Sequence, residues 1–302
     1  MTNEPASDRI GPFRILERLA SCSGREVFLG VDGAERRAVL TVLGTPQVDP
    51  GLVDRRIADE AGGYARLAHP NLVNVVDLFS ASGRLLIALE SVEGTTLNVV
   101  RASLARTGQD AGDALWLYVA ACVFSGLAAA HSASGADGQP CPILHRNVNP
   151  STVYVGWDGT VKLGDFSVAS VSGVVHDPNP GLTWGSYGYL APEQVRAQSV
   201  GPHTDVYSAM LVLWELLAGR KAIERDSDSS VELLDRMAAP TFPPLDELRP
   251  DLDERVREAV RTGLQVDPSR RTIGAAQASE IFRGASRFDE ARGRLAGLLG
   301  PI

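Results

Sequence analysis

Short runs of alternating apolar and polar residues dominate as far as Glu90; longer runs with helical or all-round apolar spacing follow. Ile10–Leu19 reads as a first strand that enters a turn at Ala20–Gly24 and returns through Arg25–Gly30. Arg37–Leu43 alternates and is rich in β-branched residues, so it reads as another strand. Val75–Phe79 and Arg84–Glu90 read as a hairpin around Ser80–Gly83. Val53–Leu67 lies between these strands. It has helical spacing through Ile57, Ala61, Tyr64 and Leu67, although Gly62 and Gly63 cost about 1 kcal/mol each against alanine.

The second part reads as mainly helical. Leu115–His131 is apolar nearly all round, as a buried helix should be. Its terminal His131 is expected near the last helix carbonyls. A Gly/Pro-rich loop, Ser132–Pro142, follows. Val231–Met237, Leu252–Leu264 and Ala275–Phe282 complete a helical region after a polar loop at Glu224–Ser230. Phe288–Leu299 is a short amphipathic tail, expected to pack on the domain. No internal repeat is visible.

Composition narrows the partners. A chain of 302 residues, 44% hydrophobic and 22% charged, is long enough for a sizeable core. Lys plus Arg is 29 against 37 for Asp plus Glu, a net charge of −8. That is no footprint for nucleic acid or an anionic membrane, and charged partners are expected to be basic. Cys22, Cys122 and Cys141 are few and odd in number, which suits reduced thiols. The polar, acidic Met1–Asp8 has no apolar signal core. No window approaches the roughly 18 uninterrupted apolar residues of a membrane span, so a stand-alone soluble domain is expected.

The chemistry concentrates in Ile143–Val155 and Val161–Ser167. His145 and Arg146 are followed by Asn147, Asn149 and Thr152, and Asp165, Phe166 and Ser167 come next. Gly185–Glu193 ends in Ala191, Pro192 and Glu193; Asp205 precedes the apolar Ala209–Leu217; Val266–Thr272 carries Arg271. In this order, the set resembles the protein kinase family over about residues 10–285. The catalytic-loop form and the long 132–142 loop resemble bacterial Ser/Thr kinases of the myxobacterial kind.

The resemblance implies an α+β fold, protein-kinase-like and bilobal, with a β-rich N-lobe and a mainly helical C-lobe. Residues 1–9 would be a disordered lead, 10–93 the N-lobe, 94–285 the C-lobe and 286–302 the tail. It also implies a site. The family pattern His-Arg-Asp-x-x-x-x-Asn uses its Asp as the base and its Asn as a Mg²⁺ ligand. Asn147 and Thr152 hold those places here. Thr41 stands where the family has the phosphate-binding Lys, and Ser167 replaces the Gly of Asp-Phe-Gly. The glycine-rich loop positions fall on Ala20, Cys22 and Arg25, with Gly24 one residue out of register. Arg25 is the nearest candidate for a cation at the phosphates. Asp165 alone survives as a metal-binding group, and a weak one. Val27, Val39, Leu89, Glu90, Val92 and Tyr154 would line the adenine pocket. Val39 above and Tyr154 below are bulkier than usual and would narrow or fill it.

Scaffold positions are retained by the same resemblance. Glu60 is the helix glutamate that lacks its Lys partner. Tyr64, His145 and Phe166 would stack between the lobes, and Asp205 would anchor the catalytic loop. Glu193 and Arg271 would form an ion pair. Arg146 would meet a phosphate if one of Ser170, Ser172, Thr183 or Ser186 were phosphorylated, and His69 is a turn residue. The expected function is a pseudokinase, a scaffold or allosteric regulator in bacterial Ser/Thr signalling with little or no phosphoryl transfer. An ATP-dependent Ser/Thr kinase with relocated catalytic groups and a nucleotide-binding sensor without catalysis remain open. No cofactor is required on the first reading; the others need ATP, and Mg²⁺ for transfer. The partner would be a protein, an active kinase or its substrate, met in the cytoplasm.

Overall fold

The computed structural model describes residues 9–22, 25–43, 63–81, 84–135, 137–166, 187–223 and 230–299. They divide into two units. One holds the chain through His69 and again Val73–Ser91; the other holds Pro70–Leu72 and, from Val92, the remaining described residues.

The first unit is a six-stranded antiparallel sheet. Its strands are β1 (Arg9–Ile10), β2 (Phe13–Cys22), β3 (Arg25–Val31), β4 (Arg37–Leu43), β5 (Val75–Ala81) and β6 (Arg84–Glu90), in the order β1-β2-β3-β4-β6-β5. Alternation places Phe13, Ala38, Leu40 and Ala88 in one buried cluster with Ile15, Phe28 and Phe79 against it. Phe13 and Phe79 stack with ring centroids 5.8 Å apart.

The expected strand Ile10–Leu19 is two strands. Gly11 turns the chain at φ 55°, where a Cβ would lie 2.4 Å from the Phe79 ring, and Pro12 lacks a ladder donor. The expected turn at Ala20–Gly24 is strand as far as Cys22. Ala20, Ser21 and Cys22 pair with Val27, Glu26 and Arg25, because an antiparallel ribbon satisfies its own backbone without glycine. Ser80 and Ala81 pair with Leu85 and Arg84 in the same way, shortening the expected loop. Of the expected helix Val53–Leu67, residues 63–65 are helical. Residues 53–62, with Glu60, lie outside the described residues, as do residues 1–8, Gly24 and 224–229, and the helix ends before Arg66 and Leu67.

The second unit begins with a three-stranded sheet, β7 (Gly94–Thr96), β8 (Val153–Gly156) and β9 (Val161–Leu163), in that order. Between β7 and β8 come α1 (Leu97–Thr107) and α2 (Asp113–His131). Helix α1 is an element that the sequence reading passed over. It buries Leu97, Val100 and Leu104 and stops at Gly108, at φ 65°. Then follow α3 (Pro192–Val195), α4 (Pro202–Ala218), α5 (Ser230–Ala238), α6 (Leu245–Leu248), α7 (Glu254–Gly263), α8 (Ala275–Ala285) and α9 (Phe288–Leu299).

Helix α2 is the axis of this unit. Phe124 meets Phe282 of α8 at 5.5 Å, and Ser279 Oγ donates to Ala121 O at 2.9 Å. Helix α9 docks on α2 through Phe288, 4.7 Å from Tyr118. Contrary to the sequence reading, α2 is long and apolar enough to cross a membrane by length and composition, with a mean hydropathy of 1.6 over 18 residues. Its apolar faces are covered instead by other helices, and 67% of that window is buried inside the protein, the pattern of a core helix.

Candidate functional site

The segment between α2 and β8 is fixed from below by one carboxylate. Asp205 in α4 is fully buried. Its Oδ2 accepts from His145 N at 2.9 Å and its Oδ1 from Arg146 N at 2.7 Å. The two N–H groups converge because Arg146 takes the left-handed conformation, φ 64°. Asp205 Oδ2 also lies 2.9 Å from His131 Nε2. His131 therefore faces this carboxylate rather than the helix carbonyls expected from its terminal place.

His145 is buried, with Nε2 2.7 Å from Gly164 O, while Nδ1 accepts from Asn147 N at 3.2 Å. This is the pattern of a neutral imidazole protonated at Nε2. Burial pushes its pKa below 6.5, against the pull of Asp205. Its ring packs on Phe166 with centroids 4.5 Å apart.

The loop's remaining polar groups turn inward on each other. Asn149 Nδ2 donates to Asn147 O at 2.9 Å and to Asn147 Oδ1 at 3.1 Å. Asn149 Oδ1 accepts from Ser151 N at 2.9 Å. Thr152 Oγ1 accepts from Asn149 N at 3.1 Å and lies 3.0 Å and 3.2 Å from the carbonyls of Asn149 and Asn147. Asn149 and Thr152 are buried, 2% and 5% exposed. The set is held by amides and one hydroxyl, and none of these can take up a proton near neutral pH.

Asp165 follows β9 in a left-handed conformation, φ 57°. Tyr154, on β8, donates its phenol to Asp165 Oδ2 at 2.8 Å. Mg²⁺ prefers several hard oxygen ligands including carboxylates. Here the one carboxylate already accepts a hydrogen bond, and the Thr152 hydroxyl is engaged within its loop. Among the described residues no three His, Cys, Asp or Glu side chains cluster to hold a metal. These residues do not fit the divalent cation that the family resemblance implies.

In the first unit, register puts Val27 opposite Thr41, and Val39 opposite Leu29 and Leu89. Val27, Val39, Thr41 and Leu89 thus share one sheet face. Thr41 is 3% exposed and brings no charge. Glu90 accepts from Asn74 Nδ2 at 3.3 Å. Tyr64 is buried and donates to Val73 O. In the second unit, Val92 is half-buried at the start of the chain's return. Glu60, Ser167, Ser170, Ser172, Thr183 and Ser186 lie outside the described residues.

Two further polar groups stand behind the loop. Glu193 and Arg271 pair through Oε1–Nη1 at 2.6 Å and Oε2–Nη2 at 2.9 Å. Thr204 Oγ1 donates to Glu193 at 2.8 Å. Burial alone would raise the Glu193 carboxyl, but the hydrogen bonds from Arg271 and Thr204 hold it below 4.5. Beside it, Gln194 Nε2 donates to Arg146 O at 2.8 Å, tying α3 to the loop. The sequence reading missed the second group. Glu215, buried in α4, takes Tyr189 Oη at 2.7 Å, Lys221 Nζ at 3.0 Å and Arg101 Nη1 at 3.1 Å. Its signal was a lone glutamate within the apolar Ala209–Leu217, since a buried charge demands partners.

The chain is similar in sequence and fold to known proteins. The family profile of the protein kinase domain matches residues 27–281. The chain is 30% identical over 273 residues to the tyrosine-protein kinase MasK of Myxococcus xanthus, which covers 88% of this chain and 42% of MasK. It is 30% identical over 260 residues to the serine/threonine-protein kinase PknL of Mycobacterium tuberculosis, covering 84% of this chain and 62% of PknL. The chain thus spans less than two thirds of the length of either relative. A crystal structure of the M. tuberculosis PknI kinase domain superposes with a TM-score of 0.67 at 24% identity, over 94% of this chain and 100% of that one. Another structure of the same domain gives 0.64 at 22%. At such identity the likeness speaks for the fold alone.

Proposed function

The chain belongs to the bacterial Ser/Thr protein kinase family, and from that premise we propose that it is a pseudokinase: a member that acts as a scaffold or allosteric regulator and transfers little or no phosphate. The observation that carries this reading is the closed polar net of Asn147, Asn149 and Thr152. In the family those places hold a carboxylate base, often a lysine, and a metal-binding amide. A general base contributes about 10²–10⁴-fold to such a reaction. Most of the remaining catalysis is positioning and neutralisation of phosphoryl charge. Asn147 can orient a hydroxyl but cannot accept its proton. Thr41 supplies no cation, and Asp165 is engaged by Tyr154. The losses are not additive, but together they leave little transfer.

The output of such a protein is binding. Its partner on this reading is a protein of the same signalling system, an active kinase or its substrate, in the cytoplasm. The acidic charge of −8 favours a basic contact surface on that partner.

A transfer assay with labelled ATP and Mg²⁺ tests the proposal, using the chain itself and a general basic protein as acceptors. Incorporation should equal that of an Asp165→Ala control. Mg²⁺-dependent incorporation that Asp165→Ala abolishes would establish a working kinase instead, and loss through Arg25→Ala would locate its cation.

A further inference from the structure

The segment after β9 is clamped to the catalytic-loop side at every residue from Gly164 to Phe166. Gly164 N donates to Thr152 O at 2.9 Å, and Gly164 O accepts from His145 Nε2 at 2.7 Å. Phe166 is buried against the His145 ring at 4.5 Å. Between them, Asp165 has the left-handed φ of 57°. A non-glycine residue keeps that conformation only where its surroundings over-determine it. Among the described residues, the Tyr154 phenol donates to the Asp165 side chain at 2.8 Å.

We propose that Tyr154 does the structural work for which the residues here do not fit a metal ion: its hydroxyl bridges β8 to Asp165 and holds the 164–166 segment in place without nucleotide. The inference rests on the pseudokinase reading and deepens it. A divalent cation would hold Asp165 only while bound, and so would make the segment's order depend on nucleotide. A phenol on a neighbouring strand is always present. Tyr154 sits opposite Lys162 in the β8–β9 hairpin, so its side chain needs only to lean past the end of β9 to reach Asp165. The strand fixes its origin, because Val153 and Val155 on either side are fully buried. A hydroxyl donating to a carboxylate is stronger than a neutral pair. The consequence is a binding surface with one shape, whatever the nucleotide level.

Amide hydrogen exchange on the full chain reads this directly at 164–166. Tyr154→Phe keeps the ring and removes the bridge, and exchange there should quicken about tenfold or more. Asp165→Ala should do the same, and the double variant should go little further than either single one, since both remove one contact. Asp165→Asn keeps an acceptor oxygen and should stay near wild type, which also separates the bridge from any general loss of folding. Exchange in α2 should be unchanged throughout. The bridge is overturned if Tyr154→Phe exchanges like wild type, if the single effects multiply, or if Asp165→Asn is as fast as Asp165→Ala. Any of these leaves the pseudokinase reading standing. Slower wild-type exchange at 164–166 on adding ATP with Mg²⁺ would overturn the bridge as the device that orders the segment, while the pseudokinase reading itself stands or falls with the transfer assay.

Discussion

Glu193 and Arg271 meet as a bidentate ion pair, with contacts of 2.6 and 2.9 Å and both side chains closed off from solvent. Arg271 also donates to the carbonyls of Gln265, His203 and Val266 and lies 4.6 Å above the Tyr207 ring. One guanidinium thus joins α3, the start of α4 and the turn after α7. Arg271→Ala should destabilise the chain by about 3–5 kcal/mol, since it leaves Glu193 charged and buried. Replacing both partners by apolar side chains, Glu193→Leu with Arg271→Met, should recover much of that loss. Chemical denaturation of the wild type and these two variants checks the prediction; equal losses for the single and double changes would contradict it.

The same pair sets an acid limit. The folded Glu193 carboxyl is held below its ordinary 4.5. Its contribution is therefore present above 4.5 and is lost as pH falls through the folded value. Wild type and Glu193→Gln should differ most at neutral pH and converge below 4.5. A stability gap that stays constant down to pH 3 would refute this.

His145 gives a second window with its own cause. Burial holds its pKa below 6.5, while Asp205, Gly164 O and Asp165 pull upward and His131 pushes down. As pH falls below 6.5, the unfolded chain takes a proton that the folded chain refuses, so stability declines. His145→Phe should flatten the stability profile between about pH 6.5 and 5. Urea unfolding across that range is the measurement, and parallel profiles would contradict the assignment.

Asp205 should matter most to local order. Asp205→Ala strips acceptors from the N–H groups of His145 and Arg146, at about 1–3 kcal/mol for each buried donor left unmade. Exchange at both amides should rise sharply, with global unfolding at a lower denaturant concentration. Protection unchanged at those two amides would show that Asp205 does not hold the loop.

Much of this was legible in the residues. The ordered motifs predict the bilobal kinase fold, and the pairing of Glu193 with Arg271 across the sequence follows from two of them. Strand ends were less legible. Backbone pairing past Ala20 and Ser80 owes nothing to side-chain pattern, and the break at Gly11 depends on the Phe79 ring beside it. Helix α1 was readable from Leu97, Val100 and Leu104, but polar neighbours hid the spacing. The contact between Tyr154 and Asp165 was out of reach. The bulk of Tyr154 was apparent, whereas the direction in which its hydroxyl leans depends on the hairpin. His131 was placed by helix-end chemistry, which Asp205, arriving from α4, overrides.

Restoring the base should not restore the reaction. Asn147→Asp adds a carboxylate, but Thr41 and Thr152 still supply neither cation nor metal-binding amide. Phosphate incorporation should stay at the level of the Asp165→Ala control, and a Mg²⁺-dependent rise would show that the loop is closer to a working site than its polar net implies.

The central claim, a kinase scaffold independent of nucleotide, is tested most directly by thermal unfolding with millimolar ATP, first with Mg²⁺ and then with EDTA. A ligand at about 100 times its Kd stabilises by about 2.7 kcal/mol, which is a shift of several degrees in a domain of this size. The account predicts the same melting temperature in all conditions. A rise with ATP that EDTA removes would mean that Asp165 still holds a metal and would contradict it; a rise that survives EDTA would make the protein a nucleotide sensor.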